Sequence, residues 1–298
     1  ALKQRLFIRF SKSYTKFQIC AYMNKSQIPI QLLMLFMYSL LQTPIVLMHI
    51  NIKRWIEEMI PHVHVRNCEV GNGYNDSIYM PINDQIEELA SCIKNDRKLA
   101  NGFFGIGYSL GGYLMRGYLE KINEPKMKRL ITFAAPHGGQ FCGVNSECNG
   151  EIFGNYPAEV IYSEYVQSHF SESACWRDPY NFEMFREKSS SLNYLDNVKN
   201  FNHTYKTNFA SLDLLVLYGS PVDKVILPWS SAWFGSYLND DEDHHDMSER
   251  MEYQLDLFGL KTLDEQNKVV RIDSQTKHED YPRAEWLIKD SVVQYLKE

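Results

Sequence analysis

Ser109 sits in the pentapeptide Gly107-Tyr108-Ser109-Leu110-Gly111, and the apolar run Phe103-Phe104-Gly105-Ile106 leads into it. A helix-like spacing of apolar residues, from Tyr113 to Leu119, leads out. A serine between a strand and a helix must occupy a turn too sharp for side chains on its flanks, and Gly107 and Gly111 meet that need. Such a turn lifts the hydroxyl above the sheet edge at a helix N-terminus, where backbone N–H groups favour developing negative charge. The chemistry this implies is nucleophilic attack on a carbonyl, with the Leu110 N–H as one donor to the oxyanion.

A serine nucleophile needs a general base, usually histidine, and an acid that fixes the tautomer of that base and stabilises its cation. Two of the nine histidines compete. His278 lies in the polar loop Ser274-Gln275-Thr276-Lys277-His278, after the last expected strand and before the last expected helix, Pro282 to Leu296. His137 follows the next strand after the elbow, where it would break the chain order nucleophile, acid, base; it is expected to shape the pocket rim. Asp223 closes Gly219-Ser220-Pro221-Val222-Asp223, a turn that projects a carboxylate from a strand end. Asp273 is the rival acid, and Asp223 is preferred. The expected catalytic set is therefore Ser109, Asp223 and His278.

Positioning these residues needs an ordered set of elements. Thr43 to His49 reads as the first strand, and Ile50 to Ile60 has helical spacing that Pro61 ends. Val63 to Val70 alternates like a strand, Gly71 to Asn75 reads as a loop, and Ile82 to Ile93 as an amphipathic helix. Strands are expected at Phe103 to Tyr108, Met127 to Ala135, Leu212 to Tyr218 and Lys268 to Ile272. Strands alternating with helices predict an α/β fold with a mostly parallel central sheet flanked by helices. Between about residues 140 and 209 the strand pattern lapses into short, aromatic-rich helical stretches, which predicts a helical cap inserted over the site. The domain expectation is a basic N-terminal segment over 1–42, then a single α/β domain over 43–298.

At 298 residues the chain supports one large core, and its 44% hydrophobic content suits a globular protein. A net charge of -6 without clustered Lys and Arg argues against a nucleic-acid partner. Lys3, Arg5, Arg9, Lys12, Lys16 and Lys25 precede the apolar run Leu32 to Leu41, a pattern like a secretory signal and too short to span a bilayer. Sequons at Asn24, Asn75 and Asn202 fit a secreted or lysosomal glycoprotein. The six cysteines show no Cys-x-x-Cys spacing, which argues against zinc, and Cys142 and Cys148 are close enough to close a small loop. The acidic stretch Asn239 to His245 reads as a solvated loop, so no metal site is expected.

These residues also carry a family resemblance. Gly107-Tyr108-Ser109-Leu110-Gly111-Gly112, Cys175-Trp176-Arg177-Asp178-Pro179-Tyr180, the stretch Gly219 to Gly235, Asp256 to Leu263, the His278 loop and Trp286 together resemble a palmitoyl-protein thioesterase. Pro228-Trp229, Trp233-Phe234-Gly235 and Phe258 to Leu263 look closer to the lysosomal type 2 branch. The resemblance implies the α/β-hydrolase fold, a hydrolase of long-chain fatty acyl thioesters such as palmitoyl-protein or palmitoyl-CoA, no metal or organic cofactor, and the roles already given to Ser109, Asp223 and His278. The chain departs from the family where the first strand should lead into a His-Gly loop that supplies an oxyanion donor. Here His49 runs straight into Ile50-Asn51-Ile52-Lys53, so the second donor is expected near His49 without that loop. The same triad would serve an oxyester lipase or carboxylesterase, and an acyl-binding homologue would keep it with an incomplete oxyanion hole.

Overall fold

The computed structural model describes residues 17–21, 31–36, 45–142, 156–238 and 243–297. Seven strands form one sheet: β1 (Phe17–Ala21), β2 (Gln31–Phe36), β3 (His64–Asn67), β4 (Phe103–Tyr108), β5 (Met127–Phe133), β6 (Leu214–Gly219) and β7 (Val269–Asp273). Their order is β3-β2-β1-β4-β5-β6-β7, with a further pairing of β2 to β4. The β2–β3, β2–β4, β4–β5, β5–β6 and β6–β7 pairs are parallel, and β1 runs antiparallel to β2 and β4. Register sets the functional edge. Tyr108 pairs with Phe133, Phe133 with Tyr218 and Tyr218 with Ile272, so β4 to β7 end level with one another. The loops that follow those ends share the rim where ligands bind in parallel α/β sheets.

All six residues of β4 are buried, as expected of a strand covered on both faces. Alternation divides the core into two layers. Phe103, Leu130, Leu215 and Leu217 pack on one face with helix α3 (Ile82–Asn95) and helix α4 (Leu110–Lys121), numbered after α1 (Ile45–Met59) and α2 (Tyr74–Tyr79). Phe104, Ile106, Ile131 and Val216 pack on the other with Ile52, Trp55 and Ile56 of α1 and with Leu287, Ile288 and Val292.

Four expectations are corrected here. Of the strand expected at Thr43 to His49, the described part, from Ile45, is helical and continuous with the spacing that buries Ile52, Trp55, Ile56 and Ile60. The parallel strand in that place is β2, which opens at Gln31 and overlaps the apolar run Leu32 to Leu41, upstream of the expected boundary at residue 43. Gly71 to Asn75 is not wholly loop, because α2 opens at Tyr74. The last helix is broken. Pro282 lies inside a 3₁₀ stretch, His278–Arg283, followed by a π-helical turn, Leu287–Val292, and a short α-helix, Val293–Leu296.

Between β5 and β6 the described residues form short helices, among them Glu164–His169, Phe182–Lys188 and His203–Ala210. A disulfide joins Cys68 to Cys92, tying the chain after β3 to α3 across a Cα separation of 5.9 Å. Closing a loop of that length stabilises a domain by roughly 3 kcal/mol. Cys142 is disulfide-bonded as well; Cys148, its expected partner, lies outside the described residues.

A buried ionic cluster anchors α4 to the rest of the domain. Arg116, fully buried, donates to Glu120 at 2.6 Å, to Asp196 at 2.9 Å and to the His137 carbonyl at 2.8 Å. Arg250 reaches Asp196 at 2.6 Å, and Arg177 reaches Glu252 at 2.7 Å. Burial pushes the Glu120 carboxyl from its ordinary 4.5 up to about 8, although the Arg116 guanidinium pulls the other way. Between those two values the folded chain holds a proton that the unfolded chain has released. The stabilisation from this group is therefore complete below pH 4.5 and lost as pH rises through 8. Glu120→Gln, neutral at every pH, is expected to flatten the decline of unfolding free energy across that window, which for one proton is at most about 1.4 kcal/mol per pH unit. Urea melts at several pH values read the slope; equal slopes for variant and parent would refute the assignment.

Candidate active site

β4 delivers its chain into a tight elbow. Ser109, between the strand and α4, has φ 55° and ψ -137°, a left-handed backbone that a residue with a side chain adopts only when its surroundings enforce it. The enforcement is visible on both sides. The Ser109 N–H donates to the Phe133 carbonyl at 2.8 Å, and the Gly112 N–H donates to the Ser109 carbonyl at 2.9 Å. A Cβ on Gly107 would come within 2.4 Å of the Gly112 Cα, and one on Gly112 within 2.5 Å of the Ala135 Cβ. Gly112, which follows the pentapeptide, is thus the glycine that lets α4 approach β5, beyond the two positions, Gly107 and Gly111, at which the motif predicts a need for small residues.

Three loops from level strand ends then meet. His278 Nε2 lies 3.0 Å from Ser109 Oγ, and His278 Nδ1 lies 2.8 Å from Asp223 Oδ2. A carboxylate only accepts, so Nδ1 carries the proton, and Nε2 is left to accept from the serine hydroxyl. Asp223 is fixed in turn, because its Oδ1 accepts from the Val225 N–H at 2.8 Å and the Ile226 N–H at 3.1 Å. Ser109 is 7% exposed, Asp223 2% and His278 0%, so the chain of hydrogen bonds runs in a largely dry setting, where charge interactions gain strength. Leu110 is the first residue of α4, and the first N–H groups of a helix have no carbonyl partner within it.

The rivals lie elsewhere. Asp273 is exposed and accepts from Gln275, at 3.0 Å from its N–H and 2.6 Å from its side-chain amide, capping its own loop. His137 is wholly buried rather than on a rim: its Nε2 lies 3.0 Å from Thr132 Oγ1, and its ring stacks on Phe234 at 4.6 Å. Burial, together with the Arg116 cation, holds the His137 pKa well below its ordinary value, so its imidazole is neutral. His49 falls in the second turn of α1, where a helical N–H points to the carbonyl four residues back. Residues 37–44, which join β2 to α1, lie outside the described residues.

Several groups at this site escaped the sequence reading. The Val225 and Ile226 amides and the Ser274 and Tyr281 hydroxyls, 2.7 Å apart under the His278 loop, have no signature along the chain. Tyr108 had one, since it stands inside the pentapeptide.

A mostly parallel sheet, flanking helices and strand–elbow–helix define an α/β-hydrolase. The model of the palmitoyl protein thioesterase family matches residues 44–278, and the chain belongs to that family. It is a thioesterase. It is 36% identical over 254 residues to palmitoyl-protein thioesterase 3 of Dictyostelium discoideum, covering 80% of this chain and 86% of the relative. It is 32% identical over 260 residues to palmitoyl-protein thioesterase 1 of Caenorhabditis elegans, covering 83% and 85%. It is 33% identical over 223 residues to lysosomal thioesterase PPT2-B of Xenopus laevis, covering 72% and 77%, so type 2 enzymes are among its relatives as the tryptophan-rich segments suggested.

Proposed function

We propose that this chain hydrolyses long-chain fatty acyl thioesters by a serine mechanism through an acyl-enzyme. The observation that carries the reading is the chain of hydrogen bonds from Ser109 through His278 to Asp223, at 3.0 and 2.8 Å. Ser109 Oγ attacks the thioester carbonyl while His278 Nε2 takes its proton, and Asp223 stabilises the imidazolium. The oxyanion is held by the Leu110 N–H and a second donor from the chain near His49. Removing one such donor costs roughly 3 kcal/mol of transition-state stabilisation, so the second matters. The tetrahedral intermediate breaks its C–S bond and the departing sulfur takes the proton from the His278 imidazolium; with a thiol pKa of about 8.5 the leaving group needs little of that acid help, and His278 is neutral again. Water, deprotonated by His278, then releases the fatty acid and restores the serine.

A helical cap over residues 140–209 would shelter the acyl chain, each buried CH₂ adding about 0.8 kcal/mol. Acylated protein or acyl-CoA is the substrate class. A lysosomal location is supported by relatives whose names carry that word and by an exposed Asn75 in a glycosylation sequon. Among the described residues, no helix is long and apolar enough to cross a membrane.

The test compares palmitoyl-CoA with a palmitoyl oxyester. Faster turnover of the thioester is the expected outcome, and the reverse order would make the chain an oxyester lipase. Folded protein that binds palmitate yet neither turns over substrate nor reacts with a fluorophosphonate would be an acyl-binding homologue.

A further inference from the structure

The base of this site sits on a loop, and a loop alone does not hold an imidazole to a few tenths of an ångström. His278 begins a 3₁₀ stretch after four residues of irregular chain, Ser274 to Lys277. Asp223 grips the ring at Nδ1. The backbone of His278 is gripped from another direction: the Tyr108 hydroxyl donates to the His278 carbonyl at 2.7 Å, and the two rings lie 4.9 Å apart. Tyr108 is itself held on the sheet, paired with Phe133 and packed against Tyr281 at 6.0 Å. It is buried, as is the carbonyl it satisfies.

We infer that Tyr108 is a positioning residue for the general base. Tyr108 is covalently next to Ser109. Its hydrogen bond closes a ring of contacts that runs from Ser109 Oγ to His278 Nε2, through the histidine to its carbonyl, and back through the Tyr108 hydroxyl to Ser109. The nucleophile-to-base distance is then referred to β4 itself, and the bond restrains motion of the His278 loop that would lengthen it. Without the hydroxyl, the distance depends on Asp223 and on the ties of the loop itself, Ser274 to the Gly219 carbonyl and to the Tyr281 hydroxyl. Displacing a catalytic group by about 1 Å can slow reaction a hundredfold, because reaction needs near-attack geometry.

This inference rests on the serine mechanism proposed above, and its test keeps the two apart. Tyr108→Phe removes only the hydroxyl. Protein and variant are assayed with palmitoyl-CoA and titrated with a fluorophosphonate, rate constants being expressed per labelled site so that unfolded molecules do not count. The expected result is a kcat ten- to a hundredfold lower with KM unchanged, a labelling rate reduced by the same factor, and a labelling end-point near one per chain. A merely structural role would lower the end-point and the melting temperature and leave the per-site rate alone, which would overturn the inference. Equal per-site rates in parent and variant would overturn it too. If the parent protein itself fails to label while hydrolysing palmitoyl-CoA, the serine mechanism fails, and this inference falls with it.

Discussion

Ser109→Ala is expected to lower kcat for palmitoyl-CoA by about 10⁴- to 10⁶-fold while leaving the fold intact. The size follows from what the hydroxyl does: it is the atom that forms the bond, and alanine leaves His278 with nothing to deprotonate but water. The fold should survive for a local reason. The strained backbone is held by the Ser109 N–H to Phe133 and by the Gly112 N–H to the Ser109 carbonyl, and neither bond uses the side chain. Alanine also makes no larger demand on the left-handed φ of 55° than serine does. Residual activity is expected from the Leu110 N–H and from binding alone. Steady-state kinetics with circular dichroism as the folding check reads both halves; a folded variant within tenfold of the parent would refute the assignment of the nucleophile.

Asp223→Asn is expected to cost about 10⁴-fold in kcat with a smaller change in KM. In the parent both oxygens of Asp223 accept, Oδ1 from two backbone N–H groups and Oδ2 from His278 Nδ1. Asparagine has one oxygen and one NH₂. If the oxygen keeps the two amides, the NH₂ faces Nδ1 and forces the proton to Nε2, which can then no longer accept from Ser109. If the oxygen turns to His278, the NH₂ meets two donors, and the loop at Val225 and Ile226 must shift. Either arrangement also removes the charge that stabilises the imidazolium. Raising pH will not restore activity, because the defect lies in the tautomer and not in protonation. Recovery to within tenfold of the parent at high pH would contradict this account.

The elbow was legible because β4 is covered on both faces and its apolar run is bounded by a glycine turn. Asp223 and the His278 loop could be singled out because each follows an expected strand, Leu212 to Tyr218 and Lys268 to Ile272, in the chain order that a serine nucleophile, an acid and a base take. β2 was obscured because its residues make a plain apolar run with no alternation to mark a strand, and after a basic stretch such a run reads like a leader. The strand expected at Thr43 to His49 failed because an apolar run of that length has no period of its own, and the helix expected beyond it at Ile50 to Ile60 extends backwards to Ile45. Contacts made through space were beyond reach altogether. The Cys68–Cys92 bond, the Arg116 cluster and the grip of Tyr108 on His278 join residues far apart in sequence by side chains that look ordinary where they stand.

A covalent acyl group on Ser109 distinguishes the serine mechanism from direct hydrolysis, and rapid-quench mass spectrometry of the enzyme mixed with palmitoyl-CoA detects it. The expected result is a burst of about one thiol per active site, with a palmitoyl adduct on the peptide that carries Ser109 and none in Ser109→Ala. Turnover with no burst and no adduct, or an adduct that persists in Ser109→Ala, would contradict it.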